Sequence, residues 1–313
     1  MKLLDLIQQC SARLQEAGVS FGHGTSNAFD EAVWLTLWRL GLPLDDLDGV
    51  ADRPVTAAQQ AAVEGLIEQR IRTRKPAAYL TGEAWLQGLP FHIDERAIVP
   101  RSLIAEVLAD GLIDDWLGRP PTRVLDLCTG NGSLAVLAAL AWPEAAVDAT
   151  DLSADALAVA QRNVERHALQ GRIALVQGDG LAAAAGQRFD LILCNPPYVN
   201  RRSMNALPAE FRAEPALALD GGDDGMNFVR GLLSQAVDHL TPQGVLVLEI
   251  GHERAHFDAA FPGLEPVWLS TSAGDEGGRI VAEGPPRSSK ASSWRPGSRR
   301  AGSRWHSLRA RSD

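Results

Sequence analysis

The run Val124-Leu125-Asp126-Leu127-Cys128-Thr129-Gly130-Asn131-Gly132 narrows the folds open to this chain more than any other segment. A short apolar strand ends beside an acid, turns through two glycines and enters an Ala/Leu-rich stretch, 133–142, of helical character. The alternation then repeats. Strands are expected at 124–127, 146–150, 173–176, 191–194 and 245–250, and further helices at 154–167, capped by Ser153, and at 227–240. Strands that alternate with helices build a parallel sheet covered on both faces, because each crossover lays a helix over the sheet. The expected fold class is α/β, a parallel sheet with a small helical domain before it.

Residues 1 to 75 carry the helical pattern. Leu3, Leu6, Ile7, Cys10 and Leu14 recur at helical spacing, as do Val63, Leu66, Ile67 and Ile71. A third helix, 28–40, stops at Gly41-Leu42-Pro43. Next, Tyr79-Leu80-Thr81-Gly82 and Phe91-His92-Ile93-Asp94 flank the turn residues Gly88-Leu89-Pro90 and suggest a β-hairpin. Residues 284–313 are rich in Ser, Arg, Gly and Pro without periodicity and read as a disordered tail. Such a tail can bind RNA, can be incidental, or can reflect a shifted reading frame; the incidental reading is favoured.

No apolar run reaches the roughly 18 residues of a membrane span, and Asp5, Gln8 and Gln9 interrupt the opening apolar pattern where a signal peptide would be continuous. Cys10, Cys128 and Cys194 are scattered without metal-like spacing, so no metal site is expected and a reducing, cytoplasmic compartment fits. The formal charge of −9 is unevenly spread. Residues 284–313 hold eight of the 30 Lys/Arg and one of the 39 Asp/Glu, leaving 22 bases against 38 acids in the body. An acidic body is poorly matched to phosphates and suits a basic protein partner such as a ribosomal protein, although acidity by itself can serve solubility alone.

The glycine loop suits a nucleoside-bearing ligand. Gly130 and Gly132 permit close backbone approach and positive φ, with Thr129 and Asn131 in the same loop, and the helix that follows offers free N–H groups. The spacing Gly130, Gly132, Ala135 also matches a dinucleotide fingerprint, weak by itself. Asp151 ends the second strand, followed by Leu152, where a carboxylate can accept from both ribose hydroxyls. Asp179 and Gly180 follow the third strand, and Asp179 can accept from an adenine amino group. Asp126, ahead of the glycines, disfavours a pyrophosphate and can hold the loop and the amino group of a ligand.

The fourth strand ends in Asn195-Pro196-Pro197-Tyr198. An amide nitrogen is a poor nucleophile because its lone pair is delocalised. Two acceptors aimed at its hydrogens, the Asn195 side-chain oxygen and the Pro196 carbonyl, can hold it while positive charge builds. Pro196 and Pro197 stiffen the turn, and the Tyr198 ring can stack on the planar group. Cradle and tetrapeptide together read as transfer of a methyl group from S-adenosylmethionine to a planar NH2 group, catalysed by positioning, with no general base required before transfer.

With these residues the chain resembles the protein-(glutamine-N(5)) methyltransferase family over roughly residues 20 to 280. The resemblance includes Tyr79-Leu80-Thr81, Val99-Pro100-Arg101, the 126–132 loop, Asp151, Asn195 to Tyr198, Glu214-Pro215, Ala218-Leu219, Gly221-Gly222 and Asp224-Gly225. It implies a class I Rossmann-like S-adenosylmethionine-dependent methyltransferase sheet. It also implies a substrate site at Asn195, Pro196, Pro197 and Tyr198 with Arg101 and Glu214. After the Pro-Arg turn the release-factor branch of the family continues Pro-Asp-Thr-Glu, whereas Ser102-Leu103-Ile104 resembles the ribosomal branch, as do Glu83-Ala84-Trp85, His23-Gly24-Thr25 and Asp30-Glu31-Ala32. The implied substrate is a glutamine of ribosomal large-subunit protein three, with no membrane and no direct nucleic-acid partner. The implied organisation is a substrate-recognition helical domain at 1–76, a hairpin linker at 77–98, a catalytic domain at 99–283 and the basic tail at 284–313. The family closes its sheet with an antiparallel hairpin; here 275–281 starts one before giving way to the tail. Rival readings are a glutamine methyltransferase of release factors, an adenine-specific nucleic-acid methyltransferase, a nicotinamide dehydrogenase and a non-catalytic binding module.

Overall fold

The computed structural model describes residues 1–272 and 280–283; the tail 284–313 and the stretch 273–279 lie outside the described residues. The chain opens with helices Leu3–Glu16, Ala28–Leu40 and Ala57–Thr73, with the short helix Leu47–Val50 between the last two. Their ends follow from local chemistry. The Asn27 side chain accepts from the Asp30 N–H at 3.0 Å, Thr56 and Gln59 form a capping box, and Gly41 ends the second helix at φ 64°. The apolar faces expected from spacing meet in one cluster, where Leu3, Ile7 and Leu14 pack with Leu35, Leu37 and Ile67. Each such side chain, fully buried, contributes roughly 1.5–3 kcal/mol.

Strand β1 (Glu83–Leu86) pairs antiparallel with β2 (Leu89–His92). The hairpin is shifted from its expected place. Tyr79-Leu80-Thr81 belongs to a short helix, Ala77–Thr81, ended by Gly82 at φ 71°. The turn is Gln87-Gly88, with φ of 50° and 73°. Two residues at positive φ match the right-handed twist of the flanking strands, so the chain turns there rather than at Leu89-Pro90. Pro90 sits within β2 opposite Trp85, tolerable because a two-stranded ribbon is all edge.

The main sheet comprises β3 (Arg123–Leu127), β4 (Ala146–Asp151), β5 (Ile173–Gln177), β6 (Phe189–Cys194), β7 (Leu240–Glu249), β8 (Val267–Leu269) and β9 (Ile280–Glu283), in the order β5-β4-β3-β6-β7-β9-β8. Strands β3 to β7 are parallel, as expected, and β9 joins β7 and β8 antiparallel. Strand β7 begins at Leu240 rather than 245, ending the preceding helix at His239. Phe189 pairs with Leu240 but Leu191 with Val245, so 241–244 form an irregular insertion.

Alternation along the strands builds a core on each face. Leu191 and Leu193 join Val245, Val247 and the buried helix Ser133–Ala141 on one side; Ile192 and Cys194 join Leu246, Leu248 and the helix Asn227–His239 on the other. The chain runs from β3 outward to β5 and returns to β6 on the opposite side of β3. That reversal opens a crevice at the carboxyl ends of β3 and β6, the usual ligand position in open parallel sheets. No helix among the described residues is long and apolar enough to cross a membrane.

A buried ion network joins the helices to the loop after the tetrapeptide. Arg70 is fully buried; it donates to Glu31 at 2.8 Å, Glu210 at 3.3 Å and the Ser20 carbonyl at 2.9 Å. Arg74 donates to the same Glu210 oxygen at 3.3 Å. Two cations thus face two carboxylates. Burial raises the pKa of Glu31 despite Arg70 beside it, whereas Glu210 is lowered, its backbone N–H donors and both arginines outweighing burial.

Candidate active site

The crevice is a cavity of about 800 Å³, open mouth included. Gly130, Asp151, Leu152, Asp179, Gly180 and Asn195 all line it, as expected from the sequence. Asp126, Thr129, Asn131 and Gly132 do not line it; they build the loop behind it. Asp126 is fully buried at the end of β3, and one oxygen accepts from the Thr129 hydroxyl at 2.5 Å and the Ala135 N–H at 2.9 Å. Its other oxygen, Oδ1, has no hydrogen-bond partner. Gly132 takes φ 81°, and a Cβ there would lie 3.0 Å from that of Ala160, so the loop packs tightly on the next helix. Asn163, unforeseen from sequence, is fully buried and donates to the carbonyls of Asn131 at 2.8 Å and His92 at 2.9 Å. It thereby ties the glycine loop to the hairpin.

Asp151 spans the loop and the next helix. Its oxygens accept from the Gly130 N–H at 2.9 Å and the Ser153 N–H at 2.8 Å. Burial raises its pKa, opposed by those backbone N–H groups. Ser153 caps the following helix by accepting from Ala156 at 3.2 Å, as expected.

Burial likewise pushes the Asp126 carboxyl up to about 7, against the bonds from Thr129 and Ala135. The sign for stability follows. An Asp whose folded pKa exceeds its ordinary 3.8 binds a proton in the fold that the unfolded chain has released. Its contribution is therefore greatest below about pH 4 and declines as pH rises to about 7. Relative to Asp126→Asn, the ligand-free wild type is expected to lose melting temperature across that window. A difference in melting temperature that does not change between pH 4 and 8 would count against the shifted carboxyl.

At the end of β6, Asn195 and Pro197 line the cavity, whereas Pro196 is buried and Tyr198 lies beyond it. The Tyr198 ring rests against Gly251, where an added Cβ would come within 2.5 Å of it. The glycines at 221 and 225 let the backbone wrap the tetrapeptide: Cβ atoms there would fall 2.8 and 2.2 Å from Tyr198 backbone atoms. Val199 also exchanges backbone bonds with Leu219 and Gly221 at 2.8 and 2.9 Å.

Arg101 and Glu214 come together, but facing each other. The guanidinium grips the carboxylate with bonds of 2.6 and 2.7 Å, and Glu214 also accepts from the Val99 N–H at 2.9 Å. Burial pushes the Glu214 carboxyl up, but His23, 3.5 Å away, and Arg101 outweigh it, and the pKa falls to about 2. The 99–103 turn is held a second time, by Glu249 at the end of β7. This buried carboxylate accepts from the Ser102 hydroxyl at 2.6 Å and the Leu103 N–H at 2.9 Å, and lies 3.4 Å from the Tyr198 hydroxyl. Glu249 escaped the sequence reading, as did Arg96, Leu217 and Phe228, which complete the cavity wall. An acid closing an apolar strand, Val245 to Glu249, was the available signal for the first.

The methyltransferase small domain matches residues 105–223, and the PrmC N-terminal domain matches residues 5–82. The ribosomal protein uL3 glutamine methyltransferase of Bordetella pertussis is 56% identical over 272 residues, covering 86% of this chain and 91% of the relative. That of Burkholderia pseudomallei is 53% identical, covering 87% and 91%, and that of Neisseria gonorrhoeae 46%, also covering 87% and 91%. Among solved structures, the hMettl16 catalytic domain in complex with MAT2A 3'UTR hairpin 1 superposes with a TM-score of 0.50 at 15% identity, covering 78% of this chain and 89% of that one. That likeness is one of fold. Sequence identity of this extent, running through both the helical region and the sheet, places the chain in the ribosomal protein uL3 glutamine methyltransferase family, to which it belongs.

Proposed function

We propose that the chain transfers a methyl group from S-adenosylmethionine to the side-chain amide nitrogen of a glutamine in ribosomal protein uL3. The observation that carries this reading is one cavity with Asp151 and Asp179 on one wall and Asn195 on another. The curated relatives are named for the same reaction. The residues present fit the cofactor: Asp151 lines the cavity where it can accept from ribose hydroxyls, Asp179 with Gly180 offers a polar edge to the base, and Asp126, behind the cavity, braces the glycine loop through Thr129 and Ala135. When bound, the cofactor supplies an electrophilic methyl on a sulfonium.

Everything else is the work of the chain. Asn195 and the Pro196 carbonyl accept the two amide hydrogens and hold the nitrogen in line, and Tyr198 stacks on the amide plane. Arg101 and Glu214 act on the substrate by shaping the 99–103 turn, each neutralising the other. The helices of residues 1–76 select the substrate protein. A groove between them and the hairpin, lined by Phe29, Asp30, Asp45 and Trp85, runs to Val99 and Pro100 and offers aromatic surface with an acidic rim to a basic protein. A cytoplasmic location follows from a ribosomal substrate.

The direct test offers labelled S-adenosylmethionine with uL3, a release factor and adenine-containing DNA side by side, mapping the product by mass. Methylglutamine in uL3 supports the reading; label confined to either other substrate overturns it. Asp151→Ala should weaken cofactor binding tenfold or more, about 1.4 kcal/mol, with turnover at saturating cofactor largely retained. Unchanged affinity by calorimetry would remove Asp151 from the cofactor site.

A further inference from the structure

We propose that Glu249 is a positioning residue for methyl transfer, its carboxylate fixing the Tyr198 ring and the 100–103 turn as one unit. The inference rests on the role given above to the tetrapeptide. Glu249 is the last residue of β7, directly after Leu248, which pairs with Cys194 at the end of β6. The carboxylate therefore leaves the sheet beside the residue that begins the tetrapeptide. It is 4% exposed, and its oxygens are divided between two pieces of the site. Oε2 takes the Ser102 hydroxyl and the Leu103 N–H, at 2.6 and 2.9 Å; Oε1 faces the Tyr198 hydroxyl at 3.4 Å.

Among the described residues no other hydrogen bond reaches the ring of Tyr198. Its ring lies on Gly251 and its backbone beneath Gly221 and Gly225, none of which restrains the ring by a polar bond. Glu249 is the tether at the ring tip. At 3.4 Å that tether is slack for an O–H···O bond; closing it as substrate enters is what sets the ring against the amide plane. Ser102 follows Arg101, so the same turn is gripped by Glu214 from the loop after the tetrapeptide and by Glu249 from the sheet. Movement of the ring and movement of the turn are coupled through one carboxylate.

A purely structural Glu249, capping the helix Ile104–Asp110, would alter melting temperature and little else. The chain has two tyrosines, Tyr79 and Tyr198, so protein labelled with fluorotyrosine gives two fluorine signals that Tyr79→Phe assigns. In Glu249→Gln the Tyr198 signal should shift and that of Tyr79 stay. Turnover on uL3 should fall between about tenfold and a hundredfold, the scale of small misplacements at a reacting centre. The KM for uL3 and the cofactor Kd should hold within about twofold. Tyr198→Phe should lose a similar factor, and the double variant should be no worse than the poorer single one, because both changes remove the same tether. An unmoved Tyr198 signal, or losses that multiply in the double variant, would overturn the inference. Should Glu249→Gln fail to fold, Tyr198→Phe decides, and full turnover there refutes the tether. Wild-type protein that methylates no glutamine would instead defeat the proposed function, leaving the fluorine signals to judge the tether by itself.

Discussion

Asn195→Ala is expected to bind S-adenosylmethionine normally and to turn over at about a hundredth of the wild-type rate or less, a loss of roughly 2.7–4 kcal/mol of transition-state stabilisation. Asn195 stands at the end of β6, the residue after Cys194, whose strand lies between β3 and β7 in the middle of the sheet. Two prolines follow it, so neither backbone nor loop can swing to replace the lost acceptor. The substitution removes one oxygen from the cavity wall and leaves the glycine loop, Asp126 and Asp151 untouched. Ground-state cofactor contacts are therefore preserved, while the nitrogen loses the acceptor that held it in line. Calorimetry with the cofactor and single-turnover methylation of uL3 separate the two effects. A variant that methylates at the normal rate would exclude Asn195 from the chemistry, and one that no longer binds cofactor would place it in the wrong part of the site.

The second large effect concerns stability. Arg70→Ala is expected to destabilise the protein by about 3–5 kcal/mol, because the cation is removed while its carboxylates stay buried. Glu31 keeps the Thr25 hydroxyl at 3.1 Å, and Glu210 keeps Arg74. A conservative check follows from the same logic. Arg70→Met with Glu31→Gln fills the volume and discharges the stranded acid, so the double variant should recover part of the loss. Denaturant unfolding of the three proteins measures this. A loss under about 1 kcal/mol in Arg70→Ala, the scale of an exposed pair, would show that the network carries little weight.

Much of the site was legible because its residues sit where strands end, and strand ends are local events. Asp126, Asp151 and Asn195 each lie at or just past the end of a strand, and Gly132 must be small where Ala160 approaches. The five parallel strands followed from alternation alone, whereas β8 was not foreseen. What stayed hidden depends on partners far apart in sequence. Arg70 lies on an ordinary helical pattern, and nothing nearby signals that it will be buried against Glu210, 140 residues on. Arg101 and Glu214 were both singled out, but their pairing across 113 residues was not readable. The hairpin was misplaced for another reason. Gly88 and Pro90 look like turn residues by composition, and Gly88 does turn, but its partner in the turn is Gln87, at an unfavourable φ of 50°, while Leu89 and Pro90 enter β2.

Grafting shows what the Arg70–Glu210 contact implies. The helical region and the sheet look like exchangeable parts, since separate families match each of them. Yet the acid that completes the helical region's ion network is carried by the short helix Ala209–Arg212 after the tetrapeptide. A chimera that takes residues 1–82 from a relative must therefore bring a compatible residue at position 210, or it inherits a buried charge with no counterpart. Recombination between relatives is constrained to breakpoints that keep positions 31, 70, 74 and 210 together, and the helical region cannot be swapped without editing the segment that follows the tetrapeptide.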